Sequence, residues 1–202
     1  MRVFGIDPGS QRTGFGCVES DGRRHRLVIC GAIRVRTSDA FATRLSAIYR
    51  ELTIHIRDTR PDIVAIENLF HANNVRSALL LGHARGVAML AAVEAGIPVV
   101  EYTPAEVKRA VVGYGRAEKP QVQQMIKLLL GLAKVPSPHD AADALAVAIC
   151  HLHAGSGKRG QSPFLELSAA PDATRSSKGP VPVLLAGKRS SWRKYKPAIR
   201  PA

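Results

Sequence analysis

Four acidic residues of this basic chain stand where a carboxylate is costly: Asp7, Glu67, Asp140 and Asp143. Asp7 and Glu67 each follow a short apolar run, and the other two open a segment otherwise made of Ala, Leu, Val and Ile. A charge beside so much apolar surface costs free energy unless something pairs with it. In a chain of formal net charge +13, acids placed in this way predict a cation site.

A site of this kind would hold a metal through oxygen alone, which suits Mg²⁺ or Mn²⁺. Two such ions about 3.5–4 Å apart clamp an in-line displacement at phosphorus: one activates water and the other stabilises the leaving 3′ oxygen. Simpler interpretations exist for each acid. Asp7 with Pro8 and Gly9 also fits a turn, and acids in a first helical turn complement the helix dipole. Asp143 fits these alternatives least, because its neighbours are apolar on both sides.

Five strands and five helices are predicted to position these acids. Apolar runs bounded by turn residues predict strands over 2–7, 14–19, 27–35, 62–67 and 97–102. The first three form an antiparallel meander, and the later βα units add parallel strands through right-handed crossovers. The fold class is therefore α/β, with a five-stranded mixed sheet flanked by helices. Asp7 and Glu67 would end two strands that could be neighbours, and Asp140 and Asp143, three apart, would share one helix face.

The helices are predicted from apolar residues at helical spacing and from capping signals. Thr103-Pro104-Ala105-Glu106 is a capping box with proline at the first helical position, and Gly113 ends that helix. The other predicted helices span about 45–56, 75–95, 120–132 and 138–153.

Length and composition narrow the function further. The chain has 202 residues, enough for one α/β domain with a tail. Its pI of about 10.3 indicates a polyanionic partner, and no apolar run approaches a membrane span, so nucleic acid is preferred to a membrane. We expect no signal peptide. Three widely spaced cysteines support neither a disulfide framework nor a zinc finger and indicate a reducing cytoplasm.

The composition changes after residue 154. Residues 155–202 are rich in Gly, Ser, Pro and Ala and carry ten Lys and Arg against two acids, a net charge of +8. We therefore expect a catalytic domain over 1–154 and a basic, disordered tail over 155–202. The aromatics of Ser191-Trp192-Arg193-Lys194-Tyr195-Lys196 would suit stacking on nucleic acid, although a solubilising tail is the simpler interpretation.

The motifs resemble those of the RuvC Holliday-junction resolvases, in register from residue 1 to about 153. The segments that carry the resemblance are Gly5-Ile6-Asp7-Pro8-Gly9-Ser10, Thr13-Gly14-Phe15-Gly16, Ala65-Ile66-Glu67 followed by Phe70, Ala84-Arg85-Gly86-Val87-Ala88, Val111-Val112-Gly113 with Ala117-Glu118-Lys119, and Asp140-Ala141-Ala142-Asp143-Ala144-Leu145-Ala146.

The resemblance implies an RNase H-like fold and a homodimer that resolves four-way DNA junctions in recombination and repair. Paired symmetric nicks would leave 5′-phosphate ends. It implies two Mg²⁺ per subunit, replaceable by Mn²⁺, with Asp7, Glu67, Asp140 and Asp143 as catalytic metal ligands. It also implies a branch-migration motor of the RuvA and RuvB type as a partner.

Several residues are candidates for DNA contact. Phe70 lies in a polar loop where the family has an aromatic wedge, so it would stack on an unpaired base; a core phenylalanine is the alternative. Four cations flank the turn at residues 113–115 and would neutralise phosphates: Lys108, Arg109, Arg116 and Lys119. Solvated side chains are the alternative for each. Arg76 is a further candidate.

Two other features keep two interpretations each. His139 precedes Asp140 and would be an auxiliary ligand or base, but adjacent helical residues point about 100° apart, so we prefer Asp140 as ligand and His139 facing DNA or solvent. Gly82 and Gly86 would let another helix approach. The family places its dimer contact there, and packing within one subunit is the alternative.

Two other functions are compatible with parts of the sequence. Actin-like ATPases also have strands ending in Ile-Asp-x-Gly, but they need two such domains and a second Asp-x-Gly hairpin, for which this chain is too short. A non-catalytic junction-binding protein would share the basic surface, and all four acids would then be dispensable.

Overall fold

The computed structural model describes residues 1–68 and 74–154 of the chain. These residues form one five-stranded mixed sheet with strand order β3-β2-β1-β4-β5. The first three strands are antiparallel, whereas β4 runs parallel to β1 and to β5. The strands are β1 Arg2–Asp7, β2 Arg12–Ser20, β3 His25–Arg34, β4 Ile63–Glu67 and β5 Val99–Tyr102. The predicted fold class, an RNase H-like mixed sheet flanked by helices, is confirmed.

Five helices follow the predicted order, with small differences at their ends. The Thr103 capping box is present, and Gly113 ends its helix with a φ of 97°. The helix predicted to reach residue 132 ends at Leu129, and Gly131 follows it with a φ of 62°. The helices are α1 Phe41–Thr59, α2 Val75–Glu94, α3 Pro104–Val112, α4 Lys119–Leu129 and α5 His139–Ala154.

Apolar cores cover both faces of the sheet. Phe4, Ile6 and Phe15 point to one face and pack with residues of α1 and α2. Val3 and Val18 point to the other face and pack with α3, α4 and α5. Because successive side chains of a strand point to opposite faces, the near-continuous apolar runs of the sequence serve both cores.

Helix α5 lies unusually close to the sheet, because glycines face it. A Cβ on Gly5 would come within 2.0 Å of the Ala144 carbonyl oxygen, and a Cβ on Gly14 would come equally close to that of Asp140. Ala141, Ala142 and Ala144 of α5 are fully buried. This contact sets the height of the first turns of α5 above β1 and β2.

Helix α2 departs from a prediction. By length and composition alone it could cross a membrane, so the expectation that no segment approaches a membrane span is wrong for α2. Several of its apolar side chains are exposed, including Leu79 at 58%, Leu90 at 48% and Val93 at 58%.

Candidate functional site

Two of the predicted acids meet at the carboxyl ends of neighbouring parallel strands. Residues Ile6 and Ile66 are partners in the β1–β4 ladder, so Asp7 and Glu67, one residue further on, lie side by side. The two carboxyl groups are close enough for Glu67 to raise the pKa of Asp7. The sequence-based prediction that these two strands are neighbours is confirmed.

The third acid comes from α5. Asp143 lies near enough to Asp7 and Glu67 for its charge to act on both, and its side chain is only 18% exposed. Burial, reinforced by Glu67 and Asp143, raises the pKa of Asp7 well above its usual range. Burial also raises the pKa of Glu67. Three carboxylates gathered in a poorly solvated place repel one another, and a cation relieves this.

Asp140 is placed differently from Asp143. The contact with Gly14 puts the backbone of Asp140 directly above β2, whereas Asp143, nearly one turn further along α5, faces β1 and β4. Asp143, and not Asp140, is among the main charges that perturb Asp7 and Glu67. Three of the four predicted acids therefore converge, and Asp140 lies at the margin of the group.

Two lysines complete the cluster. Lys119, the first residue of α4, forms an ion pair from its Nζ to Asp143 Oδ2 at 3.0 Å, which raises the pKa of Lys119. Lys108 of α3 is close enough to lower the pKa of Glu67 against the effect of burial. Both lysines were predicted as phosphate contacts, and the structure places them beside the acids.

The turn that follows Asp7 is held by two residues that the sequence analysis missed. The buried Thr13 hydroxyl donates to the Gly9 carbonyl at 2.9 Å. The Arg44 guanidinium, on α1, donates to the Ser10 carbonyl. Thr13 belongs to the motif Thr13-Gly14-Phe15-Gly16, which could have indicated its role. No local sequence pattern connects Arg44 with a turn 34 residues away.

The remaining predicted contacts fall in different places. Arg76 and Arg116 are exposed. Arg109 lines a cavity of about 400 Å³ with Tyr102, Cys150 and His153, at the C-terminal part of α5, so the structure does not bring it to the acids. Phe70 lies outside the described residues, as does the predicted tail over 155–202.

His139 is exposed, and its Nδ1 hydrogen-bonds Gln123 Nε2 of α4 at 2.8 Å. This position agrees with the interpretation that His139 faces DNA or solvent. A Cβ on Gly82 or Gly86 would meet no atom within 4 Å. The alternative that these glycines allow close packing inside one subunit is therefore wrong for the part of the chain that the structure describes.

The carboxylates match a hard divalent cation in donor type, since all are oxygen ligands. Among residues 1–68 and 74–154, however, no three carboxylate, imidazole or thiolate side chains lie together as a metal-holding group. Asp143 accepts a hydrogen bond from Lys119.

Comparisons with known proteins agree on one family. Residues 3–151 match the family model described as crossover junction endodeoxyribonuclease RuvC. A RuvC from Koribacter versatilis (strain Ellin345) is 56% identical over 154 residues, covering 76% of this chain and 93% of the relative. One from Syntrophotalea carbinolica is 58% identical over 153 residues, covering 76% and 94%.

Solved structures show the same similarity. The Thermus thermophilus RuvC structure superposes with a TM-score of 0.70 at 36% identity, covering 76% of this chain and 94% of that one. A second, "T. thermophilus RuvC in complex with Holliday junction substrate", also has a TM-score of 0.70, at 33% identity and the same coverage.

Proposed function

The chain belongs to the RuvC family of crossover junction endodeoxyribonucleases, and we propose that it resolves four-way DNA junctions by hydrolysing a phosphodiester in each of two symmetric strands. The observation that carries this proposal is the convergence of Asp7, Glu67 and Asp143 at one sheet edge, with Lys108 and Lys119 beside them. Acids alone would repel DNA. The lysines bring the phosphate to the acids, which is the arrangement a nuclease needs.

A divalent ion, Mg²⁺ with Mn²⁺ as substitute, would be held by Asp7, Glu67 and Asp143, with Asp140 as the fourth ligand of a two-ion site. When bound, such ions supply a water nucleophile and positive charge at the phosphate. Without a metal, Lys119 is paired with Asp143. If Asp143 turned to a metal ion, the Lys119 ammonium would be released to donate to a phosphate oxygen of the DNA. Lys108 would offset the charge of Glu67.

A nicking assay on a synthetic four-way junction, titrated with Mg²⁺, tests this function. We expect Asp7→Asn to abolish cleavage and to leave junction binding equal or tighter, because a carboxylate near phosphates repels them. Asp58→Asn, an exposed acid of α1, is the matched control and should cleave normally. Full Mg²⁺-dependent cleavage by Asp7→Asn would refute the assignment of Asp7 to the metal site, whereas junction binding without cleavage by the wild-type chain would favour the non-catalytic interpretation. Sealing of the nicks by DNA ligase checks for 5′-phosphate ends.

We also propose that the protein acts as a homodimer through α2. Leu79 and Leu90, both exposed, line a groove of about 500 Å³ together with Gly82 and Gly86. An exposed apolar groove of this kind marks a docking surface, and a dimer would place two active sites on symmetric strands. Leu79→Arg should yield monomers in analytical ultracentrifugation. Leu128→Arg, on α4 and exposed at 69% against 58% for Leu79, should not. Dimers of both variants would refute the use of this groove.

The catalytic domain that we propose spans residues 1–154, which the end of the family match at residue 151 supports. The odd number and wide spacing of its cysteines support a reducing cytoplasm as its location. We further propose that a branch-migration motor of the RuvA and RuvB type works beside it, as the family resemblance implies; co-sedimentation on a junction tests this partner.

A further inference from the structure

Two arginines lie opposite each other at the active-site end of the β2–β3 ladder. Arg12 and Arg34 are Cα partners in this antiparallel pair, and both are exposed. Asp7 pairs with Gly14 in the neighbouring ladder, so Arg12 extends β2 two residues beyond the level of Asp7. Because the predicted strand began at residue 14 and β2 begins at Arg12, the pairing of Arg12 with Arg34 could not be predicted.

The strand alternation shows which face of the sheet these arginines occupy. A Cβ on Gly14 would meet Asp140, and a Cβ on Gly16 would meet Leu145, so this set of alternate residues faces α5. Arg12 belongs to the same set because side chains of a strand alternate, and Arg34, its cross-strand partner, shares its face. Both side chains therefore lie on the face of the sheet that α5 covers, at the end of the ladder where Gly14 meets Asp140.

The opposite end of the same ladder shows how unusual this pair is. There Glu19 is the cross-strand partner of Arg26 and forms ion pairs with both Arg26 and Arg2. Like charges directly opposite each other are unfavourable in a sheet. Within residues 1–68 and 74–154, neither Arg12 nor Arg34 has an ion pair. The repulsion between Arg12 and Arg34 lies at the edge of the sheet that carries the acids, and an anionic ligand bound there would relieve it.

We propose that Arg12 and Arg34 bind backbone phosphates of the junction on the side of the acids opposite to Lys108 and Lys119. This inference rests on the proposed function. In the strand order β3-β2-β1-β4-β5, Arg34 lies two strands from Asp7, roughly 10 Å, close enough for the backbone of a DNA strand held at the acids to reach it. The two cation groups thus hold the DNA on both sides of the acids, which places the scissile phosphate between them.

The test is the salt dependence of junction binding, measured by fluorescence anisotropy in Ca²⁺ without Mg²⁺. Loss of one phosphate contact lowers the slope of log K against log salt by about 0.9 and weakens binding roughly 5- to 10-fold near 0.1 M salt. We expect the double variant R12Q/R34Q to lose about twice this slope. R12K/R34K should restore it, because lysine keeps the charge.

The matched control is R23Q/R24Q, which removes two exposed arginines from the turn at the other end of the same hairpin. It should keep the wild-type slope. Thermal melting checks the fold: R12Q/R34Q should melt at the wild-type temperature or higher, because a repulsive pair is removed. Equal slopes for R12Q/R34Q and R23Q/R24Q would overturn the proposal. If the wild-type chain neither binds nor cuts junctions, it is the proposed function that fails.

Discussion

Gly14→Ala tests whether the seating of α5 on the sheet controls catalysis. Gly14 lies on β2, and its backbone supports the first turn of α5 at Asp140, with Asp143 nearly one turn further along the same helix. The substitution adds one methyl group, changes no charge and requires no unusual backbone angle. It acts on the acids only by moving the helix that carries them.

The structure sets the size of the effect. The new Cβ would lie 2.0 Å from the Asp140 carbonyl oxygen, where ordinary contact begins at 3.4 Å, so about 1.4 Å of separation must be recovered. The obstacle is helix backbone, which cannot swing aside as a side chain can. Overpacking of this kind costs about 1–3 kcal/mol, offset by about 0.5–1 kcal/mol because glycine loses more entropy on folding.

The expected net cost is therefore at most about 2.5 kcal/mol of unfolding free energy, too little to unfold a typical domain. The catalytic effect is larger, because a displacement near 1 Å of a catalytic group costs roughly 100-fold in rate. Single-turnover nicking of a saturating junction, well below the melting temperature, measures this rate. Urea unfolding of the same preparation measures the stability.

Gly16→Ala is the matched control, on the same strand and the same face. Its Cβ would meet the Leu145 side chain, with Cδ2 at 2.6 Å and Cγ at 2.7 Å, whereas the helix backbone comes no nearer than 3.3 Å, so repacking of one side chain relieves most of the overlap. We expect a comparable loss of stability with a rate within a few-fold of wild type. The reasoning is refuted if Gly14→Ala cleaves at the wild-type rate, or if both variants lose rate in proportion to stability.

Three further predictions follow from the protonation and charge of named groups. The folded-state pKa of Asp7 is raised, so protonated Asp7 stabilises the fold at low pH and this contribution is lost as the pH rises. The metal-free Asp7→Asn variant should therefore melt at a higher temperature than wild type at pH 8. A lower melting temperature would contradict this. Lys119→Ala should slow nicking roughly 100-fold. It should change the unfolding free energy by less than about 1 kcal/mol, because the Lys119 side chain is 74% exposed. Lys134→Ala, at another exposed lysine, is the control, and equal nicking rates for the two variants would count against a role for Lys119. Burial raises the pKa of the Cys17 thiol to about 11, whereas Cys30 is only half-buried. Iodoacetamide at pH 8 should therefore label Cys30 before Cys17, as followed by mass spectrometry. Preferential labelling of Cys17 would show that β2 opens.

Much of the fold could be predicted because its signals are local. The apolar runs that end in Asp7 and Glu67 determine where β1 and β4 stop, and the Thr103 capping box determines where α3 begins. The four acids were likewise identifiable from their apolar neighbours. The exposed apolar residues of α2 were harder to predict, since composition alone does not distinguish a helix face that packs on the sheet from one that faces outward.

Only the tertiary structure decided how the acids differ from one another. Asp140 and Asp143 are equivalent by spacing, but the contact of α5 with Gly14 places one above β2 and the other toward Asp7. The pairing of Lys119 with Asp143, and of Arg12 with Arg34, joins residues 24 and 22 positions apart. The sequence thus identified the candidate groups, because burial and capping depend on near neighbours. Their distances and their partners depend on contacts between segments remote in the chain, which only packing of the helices on the sheet creates.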